Sequence, residues 1–77
     1  MSLDEALDNY SLYEFRPSIG DNINRVCYQI YKSLDPHLIR ILTTVNVRYD
    51  WDYLKPNAVI KYFSREICDS IQFGYGD

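Results

Sequence analysis

The chain is poor in the residues that build reactive sites. It holds one histidine, two cysteines, three glycines and three prolines among its 77 residues. Zinc sites need Cys and His clustered at set spacings, whereas His37 stands alone and Cys27 and Cys68 lie far apart with no CxxC pair. The two cysteines read as buried or half-buried free thiols of a protein made in a reducing compartment, with a disulfide between them as the alternative. A phosphate cradle needs a glycine-rich loop and usually a lysine, and the turn around Gly20 has neither. Charge of one sign is not concentrated. Arg16, Arg25, Lys32, Arg40, Arg48, Lys55, Lys61 and Arg65 form no block, and the formal net charge is −3. Binding to nucleic acid depends on clustered Lys and Arg, so no nucleic-acid partner is expected. No apolar run approaches the length of a membrane span, and the acidic opening MSLDEALD does not read as a signal peptide. No membrane partner is expected.

Nor is an enzyme expected, or a cofactor. His37 has no Ser or Cys at a spacing that suggests a nucleophile and base, and it reads as a surface residue just inside a helix. Asp50 and Asp52 flank Trp51 and would point to one side of an extended segment. Two carboxylates without a third ligand make a poor cation site, so a solvated loop face is the simpler account.

What the chain has in quantity is tyrosine, eight of them, besides Trp51 and three Phe. Tyrosine suits positions where the ring packs and the hydroxyl stays wet. Two accounts stay open: a thin two-layer domain with many half-buried positions, or a surface that binds a protein or a sugar.

The pattern along the chain is strand, helix, helix, strand. Residues 1–11 read as an acidic arm whose Leu3, Ala6 and Leu7 could line a single helical turn, unstable on its own. Leu12 to Arg16 alternates with period two and predicts a strand, which Pro17 ends. Gly20 permits a positive φ, and Asp21 or Asn22 can cap the helix that follows. Ile23, Val26, Cys27, Ile30 and Tyr31 form an unbroken helical stripe, with Asn24, Arg25, Gln29 and Lys32 outside. That helix should run from about Ile23 to Ser33. Asp35-Pro36 predicts an N-cap and first turn, Leu38, Ile41, Leu42 and Val45 its buried stripe, and Asn46 its stop. The link between the helices is so short that they must form a hairpin. Residues 47–55 read as a loop that lays Trp51 and Leu54 on the domain. Pro56-Asn57 is a turn signal, and Ala58 to Phe63 predicts the second strand. Ser64 to Ile71 suits a short helix, and residues 73–77 a flexible aromatic end. The two strands should pair antiparallel under the helical hairpin, an α+β fold. Its expected core is Phe15, Ile23, Val26, Ile30, Leu38, Ile41, Leu42, Val45, Leu54, Val59 and Ile60.

From Tyr13 to Phe63 these pieces resemble a LysM domain, a βααβ module. They are Gly20-Asp21-Asn22-Ile23, Val26-Cys27, Ile30-Tyr31, Asp35-Pro36, Leu42 with Asn46, Leu54-Lys55-Pro56-Asn57 and Val59-Ile60, in the family's order. Asn22 stands where the family usually has Thr, and Asn57 where it has Gly; the first is still a cap and the second still tolerates positive φ. The resemblance implies a LysM-like domain over 12–63, with an N-terminal arm over 1–11 and a C-terminal extension over 64–77. It also implies a glycan groove formed by Gly20, Asp21, Asn22, Ile23, Asn46 and Val47, with Tyr49, Trp51 and Tyr53 as a stacking surface. The competing account makes Ile23 and Trp51 core and Asp21 and Asn46 caps.

LysM domains are known as binders of peptidoglycan or chitin, and similar domains serve as structural parts of contractile-tailed phage baseplates. The second use suits this chain better. It has no secretion signal, a single module without avidity, and extensions at both ends that suit docking. The expected function is therefore a structural adaptor in the virion of a phage, assembled in the host cytoplasm, whose partners are other baseplate proteins. The apolar C-terminal series Tyr62, Ile67, Ile71, Phe73 and Tyr75 is the expected partner-binding surface. Peptidoglycan or chitin binding is the alternative.

Overall fold

The structure, a computed structural model, describes residues 1–18, 20–51, 54–55 and 57–73. Six elements follow one another: α1 (Leu3–Asn9), β1 (Tyr13–Phe15), α2 (Ile23–Tyr31), α3 (Pro36–Val45), β2 (Ile60–Tyr62) and α4 (Arg65–Ser70). β1 and β2 pair antiparallel, with Tyr13 opposite Tyr62, Glu14 opposite Lys61 and Phe15 opposite Ile60. α2 and α3 pack on each other, and α3 packs on β2. The α+β class, the two-stranded sheet and the helical hairpin between its strands are as the sequence predicts.

α2 forms because its apolar stripe has something to cover. Val26 and Cys27 are fully buried, while Ile23, Ile30 and Tyr31 pack half-buried at the edge of the core. The helix stops at Tyr31 rather than Ser33. Lys32 takes the left-handed conformation (φ 57°, ψ 33°), and its N–H closes on the Tyr28 carbonyl at 2.8 Å. A left-handed residue is a common way to end a helix. Three residues on, Asp35 Oδ1 accepts the His37 N–H at 2.9 Å and Pro36 opens α3, so the cap and the proline act as their order suggests.

Both strands are shorter than expected, three residues each. Proline at position 17 cannot donate and bounds β1 on one side. At β2 the backbone groups just outside the strand are engaged elsewhere. The Ala58 N–H bonds the Lys55 carbonyl at 3.0 Å, and the Val59 N–H bonds the Tyr49 hydroxyl at 3.1 Å. The Phe63 carbonyl accepts the Tyr31 hydroxyl at 2.7 Å.

The N-terminal arm is more than a single turn. Ser2 caps α1 by accepting the Glu5 N–H at 3.1 Å, and Asp4 and Glu5 sit in its first turn, where the helix dipole favours them. Burial supplies the stability that so short a helix lacks alone. Ala6 is 0% exposed and shares one core with Leu38, Ile41, Leu42, Ile60, Phe63, Cys68 and Ile71. The chain's ends are also tied through backbone groups: the Met1 ammonium donates to the Ser70 carbonyl at 2.8 Å, and the Gln72 N–H donates to the Met1 carbonyl at 2.6 Å. Of the expected core, Phe15, Ile23, Ile30 and Val45 are only half-buried, packed around the fully buried set, and Val59 is half-buried as well.

Candidate functional site

The turn before α2 is held by two neighbouring residues with different tasks. Gly20 has φ +86°, and a Cβ built there would meet nothing within 4 Å, so the backbone angle alone calls for glycine. Asn22 is the N-cap, its Oδ1 accepting the Arg25 N–H at 2.9 Å. Asp21 is not the cap. Its side chain is 3% exposed and accepts three bonds: the Ser18 N–H at 2.9 Å, Gln29 Nε2 at 3.2 Å and Arg25 Nε at 3.1 Å. Burial pushes this carboxyl up, but the Ser18 N–H, the Gln29 amide and the Arg25 guanidinium outweigh burial and hold it below its ordinary value.

Asn46 is equally committed. It is 3% exposed. Its Nδ2 donates to the Leu42 carbonyl at 2.9 Å and to the Lys61 carbonyl at 2.8 Å, while its Oδ1 accepts the Lys61 N–H at 2.8 Å. One side-chain amide thus ends α3 and pairs the edge of β2 that faces away from β1.

The six groove residues therefore do not present a common polar surface. Asp21 and Asn46 turn their polar atoms inward, Ile23 is half-buried against the core, and Val47 is 80% exposed. Asn22 and Gly20 are exposed. Of the stacking set, Tyr49 and Trp51 pack half-buried against the core rather than standing free. The buried Trp51 Nε1 has no hydrogen-bond partner among the described residues. Tyr53, Asp52 and Tyr75 lie outside the described residues, so the paired-carboxylate face around Trp51 does too.

Within the C-terminal series, Ile71 is 2% exposed and belongs to the chain's own core; it is not offered outward. Ile67, Tyr62 and Phe73 pack half-buried beside it. Tyr62 stacks tilted on Tyr13 at 5.6 Å and meets Tyr31 edge-on at 6.1 Å. Phe73 lies 3.9 Å under the Arg40 guanidinium and edge-on to His37 at 5.6 Å. The half-buried His37 is not a plain surface residue, since its Nε2 bonds the Cys68 carbonyl at 3.0 Å. The sequence signal for these packings was absent, because they join residues more than thirty positions apart.

Cys27 and Cys68 are both free and buried. Cys68 Sγ lies 3.3 Å from the Tyr31 hydroxyl, and Cys27 Sγ donates to the Ser33 carbonyl at 3.3 Å. Burial pushes both thiols up, and it pushes the Tyr31 hydroxyl far above its ordinary value with help from Cys68. Burial and raised pKa both disfavour the thiolate, the reactive form of cysteine.

A shallow concavity lies elsewhere, along the outer side of α2. It is a groove of about 450 Å³ lined by Ser18, Asp21, Asn24, Arg25, Tyr28, Gln29 and Leu34. Tyr28 and Leu34 are 54% and 53% exposed, unusual for large apolar side chains. Asp21 forms one wall and accepts the Arg25 Nε–H, and 69% of the Arg25 side chain is exposed. Such a surface can dock an acidic and apolar partner; it holds no nucleophile paired with a base. Tyr28 could have been found in the sequence, since it falls between the apolar positions of the α2 stripe, on the outer face with Arg25 and Lys32.

Among the described residues there is no group of three His, Cys, Asp or Glu that could hold a metal ion. Among the described residues no helix is long and apolar enough to cross a membrane. No family model, curated protein or solved structure matches this chain.

Proposed function

We infer that the chain is a non-enzymatic structural adaptor, a LysM-like component of a phage tail baseplate or a related contractile injection machine. In this reading it sits in the virion, is assembled in the host cytoplasm and holds neighbouring baseplate subunits together. One observation carries it. Asp21 and Asn46, the two side chains best suited to hydrogen-bond a sugar in the groove that the LysM resemblance implies, have their polar atoms engaged inside the chain. The large exposed side chains are spread over the chain instead: Leu7 on α1, Tyr10 just after it, Tyr13 on β1, Tyr28 on α2, Leu34 in the link to α3 and Val47 after α3. Aromatic and apolar anchors beside arginine are the composition of protein-binding surfaces. The order of motifs from Gly20 to Ile60 supports the LysM part of the reading, and the strand-helix-helix-strand order agrees with it.

The test is retention of the purified chain on insoluble peptidoglycan and on chitin, beside an Asn22→Ala, Val47→Ala variant. Both residues are exposed, so the variant keeps the core. The adaptor reading expects neither polymer to retain either protein at high protein concentration. Retention by the native chain that the variant loses would replace it with glycan binding at the turn before α2.

A further inference from the structure

Two helical faces of this chain are exposed, apolar at their centres and opposite in charge. On α1, Asp4, Leu7 and Asp8 are spaced i, i+3 and i+4, and lie together on the side away from buried Ala6. Tyr10 follows at the end of the helix; Leu7 is 43% and Tyr10 45% exposed. Between Met1 and Ser11 there are three acidic side chains and no Lys or Arg. On α2, Arg25 and Tyr28 are spaced i and i+3, opposite the buried Val26 and Cys27, and the exposed Lys32 follows the helix as its left-handed cap. Leu34 borders the same groove as Arg25 and Tyr28. Between Asn22 and Leu34 there is no acidic residue. The nearest carboxylates are Asp21, which is buried against Arg25, and Asp35, which caps α3.

We propose that the α1 face of one copy docks into the Tyr28–Leu34 groove on α2 of a second copy. Leu7 and Tyr10 would enter beside Tyr28 and Leu34, with Asp4 and Asp8 toward Arg25 and Lys32. The second copy is chosen on charge: the acidic apolar face that this groove would accept is already present on the same polypeptide. Arg25 stays accessible to it: Asp21 accepts the Nε–H, and 69% of the Arg25 side chain is exposed. The two faces are different surfaces, so the contact is heterologous. Each copy keeps one face of each kind open, and the assembly grows until it closes as a ring or continues as a chain. The inference deepens the adaptor reading by naming a neighbour. It fails separately from that reading, since glycan retention and self-association are different measurements.

The experiment is sedimentation velocity of the full chain from about 10 µM to about 1 mM, at low and high salt. The expected result is a mass that rises above the monomer with concentration and falls with salt. Leu7→Arg and Tyr28→Glu should each weaken association about tenfold or more. Mixed in equal amounts, the two variants should form a heterodimer and nothing larger, because the intact α2 of one meets the intact α1 of the other. Asp8→Lys provides a second α1 variant, and circular dichroism checks that all three fold as the native chain does. A native chain that stays monomeric throughout would overturn the proposal and leave the faces to a different protein. So would association that none of the variants changes, or a mixture that stays monomeric.

Discussion

The Asn46 side-chain amide and the Lys61 backbone hydrogen-bond each other twice, Asn46 Nδ2 donating to the Lys61 carbonyl and the Lys61 N–H to Asn46 Oδ1, both at 2.8 Å. The amide behaves as a one-residue strand. It satisfies the N–H and C=O that β2 would otherwise leave bare, and its third bond, to the Leu42 carbonyl, ends α3. A helix terminus and a strand edge are thereby joined through one buried residue.

Asn46→Ala should therefore cost more than an ordinary polar-to-alanine change. It strands the Lys61 N–H and C=O at a part-buried position, for about 3 kcal/mol in all. In a domain this small that lowers Tm by more than about 10 °C. A thermal melt followed by circular dichroism checks it; a variant melting with the native chain would show that water replaces the amide at no cost.

Asp21 makes stability depend on pH. Its folded carboxyl lies below its ordinary value, so it contributes stability above the ordinary carboxylate range, and that contribution is lost as pH falls through the folded value. Native chain and Asp21→Asn should differ most in urea midpoint at neutral pH and converge in acid. A gap that stays constant with pH would show that the charge on Asp21 is irrelevant and only its acceptor geometry matters.

Ala6→Glu should undock α1. The site is 0% exposed and packed in the shared core, so it has room for neither the longer side chain nor its charge. The expected loss is about 3 kcal/mol or more. Amide exchange should show protection falling at Ala6 and Tyr10, and also at Gln72, whose N–H is held by the Met1 carbonyl. If exchange rises in residues 1–11 alone, the two ends are not coupled.

The thiols should be silent in the native state. Both are buried and pushed up in pKa, so at pH 8 the native chain should react with iodoacetamide at least about a hundredfold more slowly than the chain in guanidinium. Tyr31→Phe removes the 2.7 Å bond to Phe63 and the contact with Cys68, and should speed the labelling of Cys68 more than that of Cys27. Equal acceleration at both would point to general loosening.

Local chemistry made much of this protein legible. Asp35-Pro36 and Asn46 bracket α3 because a cap, a first-turn proline and a stop act within a few residues of one another. The α2 stripe could be placed because its 3.6-residue period is a property of the chain alone. Asn22 and Asp21 were harder to separate: both can cap, and the choice fell to Asn22 because the fold buries Asp21 against Gln29 and Ser18. The strands were bounded at one end by Pro17, which cannot donate, and by the Ala58 N–H, which the Lys55 carbonyl takes.

By itself the sequence determined the strand-helix-helix-strand order, the starts of α2 and α3 and their apolar stripes, because all of these follow from neighbours along the chain. Only the tertiary structure decided that α1 and α4 complete the core, that Asn46 faces Lys61 and that a groove opens over Tyr28 and Leu34. Those depend on which surfaces meet across dozens of residues, and burial assigns that meeting for the molecule as a whole.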